Sequence, residues 1–500
     1  MNKILKGILA AVMAVAMLTF VSCENGVGGD NGEKASLTVS PTSVTLLSSG
    51  SEQFITVETN ADDWDFMSGA SWLLVEKMNA GLFLRASENT GENERSGELV
   101  VFATLNGSRA EQIISVKQLG KNDTPSSGSG LFECPVFESL MLSSYDANGD
   151  GTISEVEAEG VTEIDVAYTE ENAEEREAIT SLKGIKIFKN LQYLYCENNL
   201  IKSLDVSGMQ KLELVDCYYN EMETLDVSNC PSLKWVYCFS NKLTSVKVEG
   251  SNNMTFFQAY NNKLTSLDFS DMPELYYFDV RLNALRDVDF SNCPKLRIAA
   301  IGSNDIASLN LEGLPSLESL GCYSNSIASL DLSKLPKLYM LECYDNNLAT
   351  LNLSANMALE TLNCQNNLLK ELVVGNKAIV TTLNCANNYL EGDLDLTDYA
   401  ALKHLLCGGN NFTSIEVASC TKLEDINCAN TSIKALDVSA LSLLTSLKAN
   451  DCLISEMDCS NNSALATLHL QGNPLTSLVL AEGQKINDLK VDNPDVISYK

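Results

Sequence analysis

From Leu191 to the end of the chain, apolar positions return with one spacing, L-x-x-L-x-C-x-x-N-x-L-x-x-L-D-L-S. The asparagine of this unit falls at Asn199, Asn220, Asn241, Asn262, Asn283, Asn304, Asn325, Asn346, Asn367 and Asn388, always 21 residues apart. One extra residue precedes Asn410, and the 21-residue step resumes at Thr431, Cys452 and Asn473. A period this short and regular predicts a strand-rich solenoid, because no single unit can bury its apolar side and stacking supplies the core. Leu191, Leu194 and Cys196 are predicted to point inward from a short strand, with Ile201 and Leu204 filling the core from the other side. The asparagine side chain is placed to satisfy backbone groups at the bend after the strand, where water is excluded. The solenoid is predicted to run over residues 191–500.

The period and consensus of this unit resemble those of bacterial internalin-type leucine-rich repeats, which implies a leucine-rich-repeat solenoid. Two further columns run through the repeat. Cys196, Cys217, Cys238, Cys322, Cys343, Cys364, Cys385, Cys407 and Cys428 share one inward position, which Ala259, Val280, Ile301, Ala449 and Leu470 also occupy. Equivalent residues on adjacent coils stand about 4.8 Å apart with parallel Cβ vectors. That is poor disulfide geometry, so the column reads as small apolar filler in the form of free buried thiols. Asp205, Asp226, Asp268, Asp289, Asp331, Asp395, Asp437 and Asp458 recur at the opposite bend and read as outward turn residues.

Upstream the pattern changes. Residues 36–119 carry short alternating runs such as Phe54-Ile55-Thr56-Val57 and Leu99-Val100-Val101-Phe102, parted by Gly, Asn and Ser clusters. This predicts a small β-sandwich with Trp64 and Trp72 in its core. Thr59-Asn60-Ala61, Ser71-Trp72-Leu73, Asn93, Arg95, Gly97 and Ser115-Val116-Lys117-Gln118 resemble the BACON family (Bacteroidetes-associated carbohydrate-binding often N-terminal). The resemblance implies an Ig-like module of surface lipoproteins, either a glycan binder or a spacer. Residues 23–35 and 120–130 are rich in Gly, Asn and Ser and read as a tether and a linker.

The N-terminus reads as an export signal over residues 1–22. Lys3 and Lys6 precede an apolar run from Ile8 to Val21, too short to span a bilayer. Phe20-Val21-Ser22-Cys23 resembles a bacterial lipobox, with Phe where Leu is usual. The resemblance implies acylation of Cys23 and a lipid-anchored protein of the outer membrane or cell surface.

Residues 131–190 precede the first regular coil and are expected to cap it. Within them, Asp146-Ala-Asn-Gly-Asp-Gly-Thr-Ile-Ser-Glu-Val-Glu157 matches the EF-hand loop pattern over its full length. Asp146, Asn148 and Asp150 supply side-chain oxygens, Thr152 its carbonyl, Ser154 a water-bridged position and Glu157 both carboxylate oxygens. One such loop, without a partner hand, points to a structural Ca2+ rather than a sensor.

Composition narrows the function. With 34 basic against 66 acidic residues the net charge is −32, which disfavours nucleic acid and anionic membrane surfaces as partners. His404 and His469 are the two histidines, and no nucleophile motif, phosphate loop or zinc spacing accompanies them, so no enzyme activity is expected. The strand residues flanking the inward ones form the concave face of such a solenoid. Over the first five coils, nine of these fifteen positions are aromatic: Tyr193, Tyr195, Tyr218, Trp235, Tyr237, Phe239, Phe256, Tyr260 and Tyr277. The whole chain is only 7% aromatic, so the enrichment marks a partner-binding surface. Glu197, Asp216 and Asp279 beside it call for some positive charge on the partner. The expected function is adhesion or another protein interaction by a monomeric surface protein. The alternative is a glycan-binding accessory protein of a polysaccharide-utilisation system.

Overall fold

The computed structural model describes residues 34–46, 48, 52–61, 63–78, 81–121, 131–149, 151–169 and 176–500. The export signal, Cys23, most of the tether and linker, and Asp150 lie outside the described residues. The chain divides into two compact units, Met1–Gly120 and Lys121–Lys500. Among the described residues no helix is long and apolar enough to cross a membrane.

The first unit holds two four-stranded sheets. One is ordered Leu37–Ser40, Glu52–Thr59, Gly81–Ala86, Leu73–Met78; the other Ser43–Leu46, Ser108–Gln118, Arg95–Leu105, Trp64–Ser68. Period-2 alternation sends Ile55, Leu82, Leu84, Leu99, Val101 and Ile114 into one core. Trp64 is buried there, but Trp72 lies just ahead of its strand and is only half-buried. The Arg95 guanidinium covers it, 4.7 Å from the ring centroid, while Arg95 Nε donates to Gln118 Oε1 at 2.8 Å.

The second unit is a β-solenoid of about 15 turns. Three-residue strands, one per coil, build a sixteen-stranded sheet from Glu163–Asp165 to Asp488–Lys490. The pairing is parallel and in repeat register, Leu194 beside Val215 and Val215 beside Val236. Smaller sheets, such as Ser203–Asp205 with Thr224–Asp226 and Ser245–Lys247, line the opposite side. Leu191, Leu194, Cys196, Ile201 and Leu204 are buried in one continuous core with their equivalents in later coils. In the coil that carries the extra residue before Asn410, Glu391–Asp395 pairs with Asn411–Glu416 through a register shift, Gly392 beside Phe412 and Asp393 beside Ser414, and Gly392 takes φ 80°.

In twelve of fourteen coils the bend after the sheet strand is closed by the repeated asparagine; Thr431, whose Oγ donates to the Cys428 carbonyl at 2.9 Å, and Cys452 stand in the other two. Asn220 Nδ2 donates to the carbonyls of Cys196 at 3.0 Å and Cys217 at 3.1 Å, and its Oδ1 accepts from Ile201 N at 3.0 Å. One side chain therefore ties two coils together and satisfies groups that water cannot reach. The residue before the ladder position adopts positive φ in every coil from Asn198 to Gly472.

The start of the solenoid is covered by the helix Pro135–Tyr145, a loop and the short helix Glu155–Glu159. Phe137, Met141, Ile153 and Ala158 join the core that contains Ile164, Leu182 and Phe188. The Phe132 and Phe137 rings meet edge to face at 5.2 Å, and Tyr145 meets Phe188 at 5.6 Å. Tyr145 Oη donates to the Glu163 carbonyl at 3.1 Å, so this segment also holds the first strand.

Candidate interaction surface

Three positions per coil alternate outward from the sixteen-stranded sheet and form three columns. One runs Tyr193, Leu214, Trp235, Phe256, Tyr277; the central one Tyr195, Asp216, Tyr237, Gln258, Asp279; the third Glu197, Tyr218, Phe239, Tyr260, Arg281. Eight of the nine aromatic residues expected on this face are half-buried: Tyr193, Tyr195, Tyr218, Trp235, Tyr237, Phe256, Tyr260 and Tyr277. The ninth, Phe239, is not an open surface residue. It is 4% exposed, held face to face between Tyr218 and Tyr260 with centroids 4.5 Å away on each side and planes 7° apart. The spacing of the rings is the spacing of the strands, so identical side-chain directions in adjacent coils produce a stack.

That stack extends beyond the five coils singled out by the sequence. The Arg281 guanidinium lies 5.7 Å from the Tyr260 centroid. In the next coil Gly302 leaves room for the Tyr323 ring, which a Cβ at 302 would approach to 2.6 Å. Tyr323 then stacks on Tyr344 at 4.5 Å and 3°. Tyr323 and Tyr344 occupy the same repeat position as Phe239, so the column was already legible past its interruption at Gly302. Tyr219, also missed, packs edge to face against Tyr218 at 5.4 Å and Phe239 at 5.8 Å.

The charges are distributed differently from the sequence expectation. Asp279 is fully buried and bound in two places by Arg281, Nη2 to Oδ2 at 2.7 Å and Nε to Oδ1 at 2.9 Å. It is neutralised within the fold and is not available to a partner. Glu197 and Asp216 are also buried. The exposed carboxylates are instead Glu163 and Asp165 on the first strand, in register with Tyr193 and Tyr195. Burial, then the charges of Glu163 and Asp216, push the Tyr195 hydroxyl up to about 12. Burial and Asp216 likewise raise Tyr218 and Tyr237. The face is therefore electronegative at its first coils.

In the Asp146–Glu157 loop the carboxylates of Asp146 and Glu157 turn toward the loop backbone. Asp146 Oδ1 accepts from Gly149 N and Oδ2 from Gly151 N, each at 2.8 Å. Glu157 Oε1 accepts from Asn148 N at 3.2 Å, and Oε2 from Ser154 N at 2.8 Å and Ser154 Oγ at 2.7 Å. Ser154 Oγ accepts in turn from Glu157 N, completing a capping box on the short helix. Among the described residues no group of three or more His, Cys, Asp or Glu side chains is placed to hold a metal ion. Asp150 is outside that set, and the remaining donors of the loop, from Asn148, Thr152 and Ser154, are amide, carbonyl and hydroxyl oxygens.

The turn aspartates cap their bends: Asp205, Asp226, Asp268, Asp289, Asp331, Asp395, Asp437 and Asp458 each accept from the backbone N–H two residues on. His404 is half-buried on the sheet face, and His469 Nε2 meets Asp488 Oδ2 at 2.6 Å. All fifteen described cysteines are free and buried.

No protein-family model matches the sequence, and no curated protein matches it significantly. Solved structures do. The functional domain of InlJ from Listeria monocytogenes is 27% identical, with a TM-score of 0.59 over 66% of this chain and 76% of that one. The leucine-rich effector YopM from Yersinia pestis is 23% identical, with a TM-score of 0.51 over 61% of this chain and 83% of that one. The second unit is a leucine-rich-repeat solenoid. The InlJ domain is described as including a cysteine ladder, and the column from Cys196 to Cys428 is a comparable feature here.

Proposed function

We propose that this chain is a lipid-anchored surface protein that binds a protein partner through the aromatic concave face of its leucine-rich repeats, without enzymatic activity. The observation that carries the reading is the closure of the ring faces. Sugars stack their C–H groups on open aromatic faces. Here Tyr218, Phe239 and Tyr260 cover one another at 4.5 Å, and Phe256 stacks on Tyr277 at 5.8 Å. In these two stacks the ring faces are covered and the edges are left, a surface suited to interdigitating with protein side chains. This favours a protein over the glycan-accessory reading. Five coils give a face roughly 19 Å across, enough for one small interface core. Acylation at Cys23 would hold the protein at the membrane. The all-oxygen donor set of Asp146, Asn148, Asp150, Thr152, Ser154 and Glu157 suits Ca2+, which would stiffen the cap over the first coil.

The test screens the full mature chain against parallel protein and glycan arrays, with Trp235→Ala/Tyr237→Ala as the site variant. A protein hit weakened at least about thirtyfold by the double variant supports the reading, since central Trp and Tyr truncations cost about 2 kcal/mol or more. Glycan hits alone, or protein hits indifferent to the variant, overturn it.

A further inference from the structure

The residue before the ladder position takes a left-handed backbone in all fourteen coils from Asn198 to Gly472. Nine of these residues are Asn, Asp or Gly, the types that tolerate this conformation, and three are the small Ser240, Ser303 and Ser324. Several of them bond along the column: Asn261 Nδ2 donates to Ser240 Oγ at 3.1 Å, and Asn387 Nδ2 to Asn366 Oδ1 at 2.8 Å. The remaining two are large side chains, Tyr219 at φ 50° and Leu282 at φ 57°. Each places a bulky side chain where the backbone disfavours it, and neither is hidden: Tyr219 is 52% exposed and Leu282 55%. Leu282 is thus strained without being buried. Strain that the fold itself does not use is characteristic of binding surfaces.

Both lie beside the aromatic stack. Three coil steps separate them, about 14 Å, and the short side chains of Ser240 and Asn261 occupy the two coils between. Glu163 and Asp165 stand two coil steps beyond Tyr219, on the strand that leads into the bend. An extended strand spans about 14 Å in four residues and presents positions i and i+4 on one face. Resting on the protein-binding reading above, we infer that Tyr219 and Leu282 are paired apolar anchors for an extended segment of another protein. That segment lies along the solenoid axis, with apolar residues at i and i+4 and a Lys or Arg beyond the residue that meets Tyr219. The site therefore reaches from the sheet onto the adjoining bend.

The probe is a phage-displayed library of random twelve-residue peptides panned on the full mature chain. Enriched peptides are expected to carry two apolar residues four apart and a flanking basic residue. Tyr219→Asn and Leu282→Asn should each weaken them at least tenfold, while Leu282→Asn, relieved of strain, melts about 1–2 °C higher than the parent. Peptides that bind both variants like the parent yet are lost by Trp235→Ala/Tyr237→Ala would overturn the anchors and leave the face reading standing. Peptides indifferent to every variant, or no enrichment, would overturn both. A Leu282→Asn protein that melts lower would show the leucine serving the fold, against the inference.

Discussion

The side-chain amide of Asn346 donates to the carbonyl of Cys322, 24 residues earlier, at 3.0 Å. The same side chain donates to the Cys343 carbonyl at 3.2 Å and accepts from Ile327 N at 2.9 Å. All of this happens in the buried interior, so Asn346→Ala leaves Ile327 N–H without a partner or water, while the Cys322 and Cys343 carbonyls each fall back on one donor, Asn325 Nδ2 and Asn367 Nδ2 at 3.0 Å. The loss should be about 1–3 kcal/mol, read as a lower urea midpoint of the second unit. A midpoint unchanged from the parent would remove the ladder from the account of stability.

The thiols should be inert in the native state. Burial raises every cysteine of the column from Cys196 to Cys428, with Cys322 and Cys385 pushed up to about 12. Little thiolate exists at neutral pH, and the thiolate is the nucleophile. Alkylation followed by mass spectrometry should find the nine unlabelled in buffer and fully labelled in denaturant. Disulfides between neighbouring coils would contradict this.

The turn aspartates give an acid limb to stability. Bonds from Ser270, Ser333 and Ser439 hold Asp268, Asp331 and Asp437 below the usual carboxylate range, and Lys500 and Ser460 lower Asp458 to about 2. A depressed folded-state pKa means that the unfolded chain binds protons first. The contribution is complete above about pH 4 and is lost as pH falls toward 2. Acid also relieves the repulsion of a −32 chain, so the comparison needs a variant. Asp331→Asn/Asp437→Asn should melt below the parent at pH 7, with the gap closing by pH 2. A gap constant with pH would count against it.

Calcium should raise the melting temperature in proportion to ln(1 + [Ca2+]/Kd), with a Kd of about 10⁻⁴–10⁻³ M. Asp146→Ala/Glu157→Ala should abolish that increment. Glu157 also caps the helix Glu155–Glu159, so the variant melts lower even without calcium. The diagnostic quantity is therefore the calcium-dependent increment, and a parent indifferent to chelator would refute the site.

What the sequence determined by itself is what a 21-residue period can encode. It assigns residues to columns, so the inward leucines, the asparagine ladder, the unpaired thiols and the aromatic enrichment of the first coils were all legible. The period cannot say what members of one outward column do to each other. That depends on side-chain direction at a spacing of about 4.8 Å, where neighbours either stack or stay apart. Only the tertiary structure closed Phe239 between Tyr218 and Tyr260, cancelled Asp279 against Arg281, and seated the Tyr323 ring against Gly302 and on Tyr344. The left-handed bend escaped the pattern for a related reason. Asn, Ser and Asp before the ladder read as ordinary polar residues, and only the backbone angles marked Tyr219 and Leu282 as the two that do not belong.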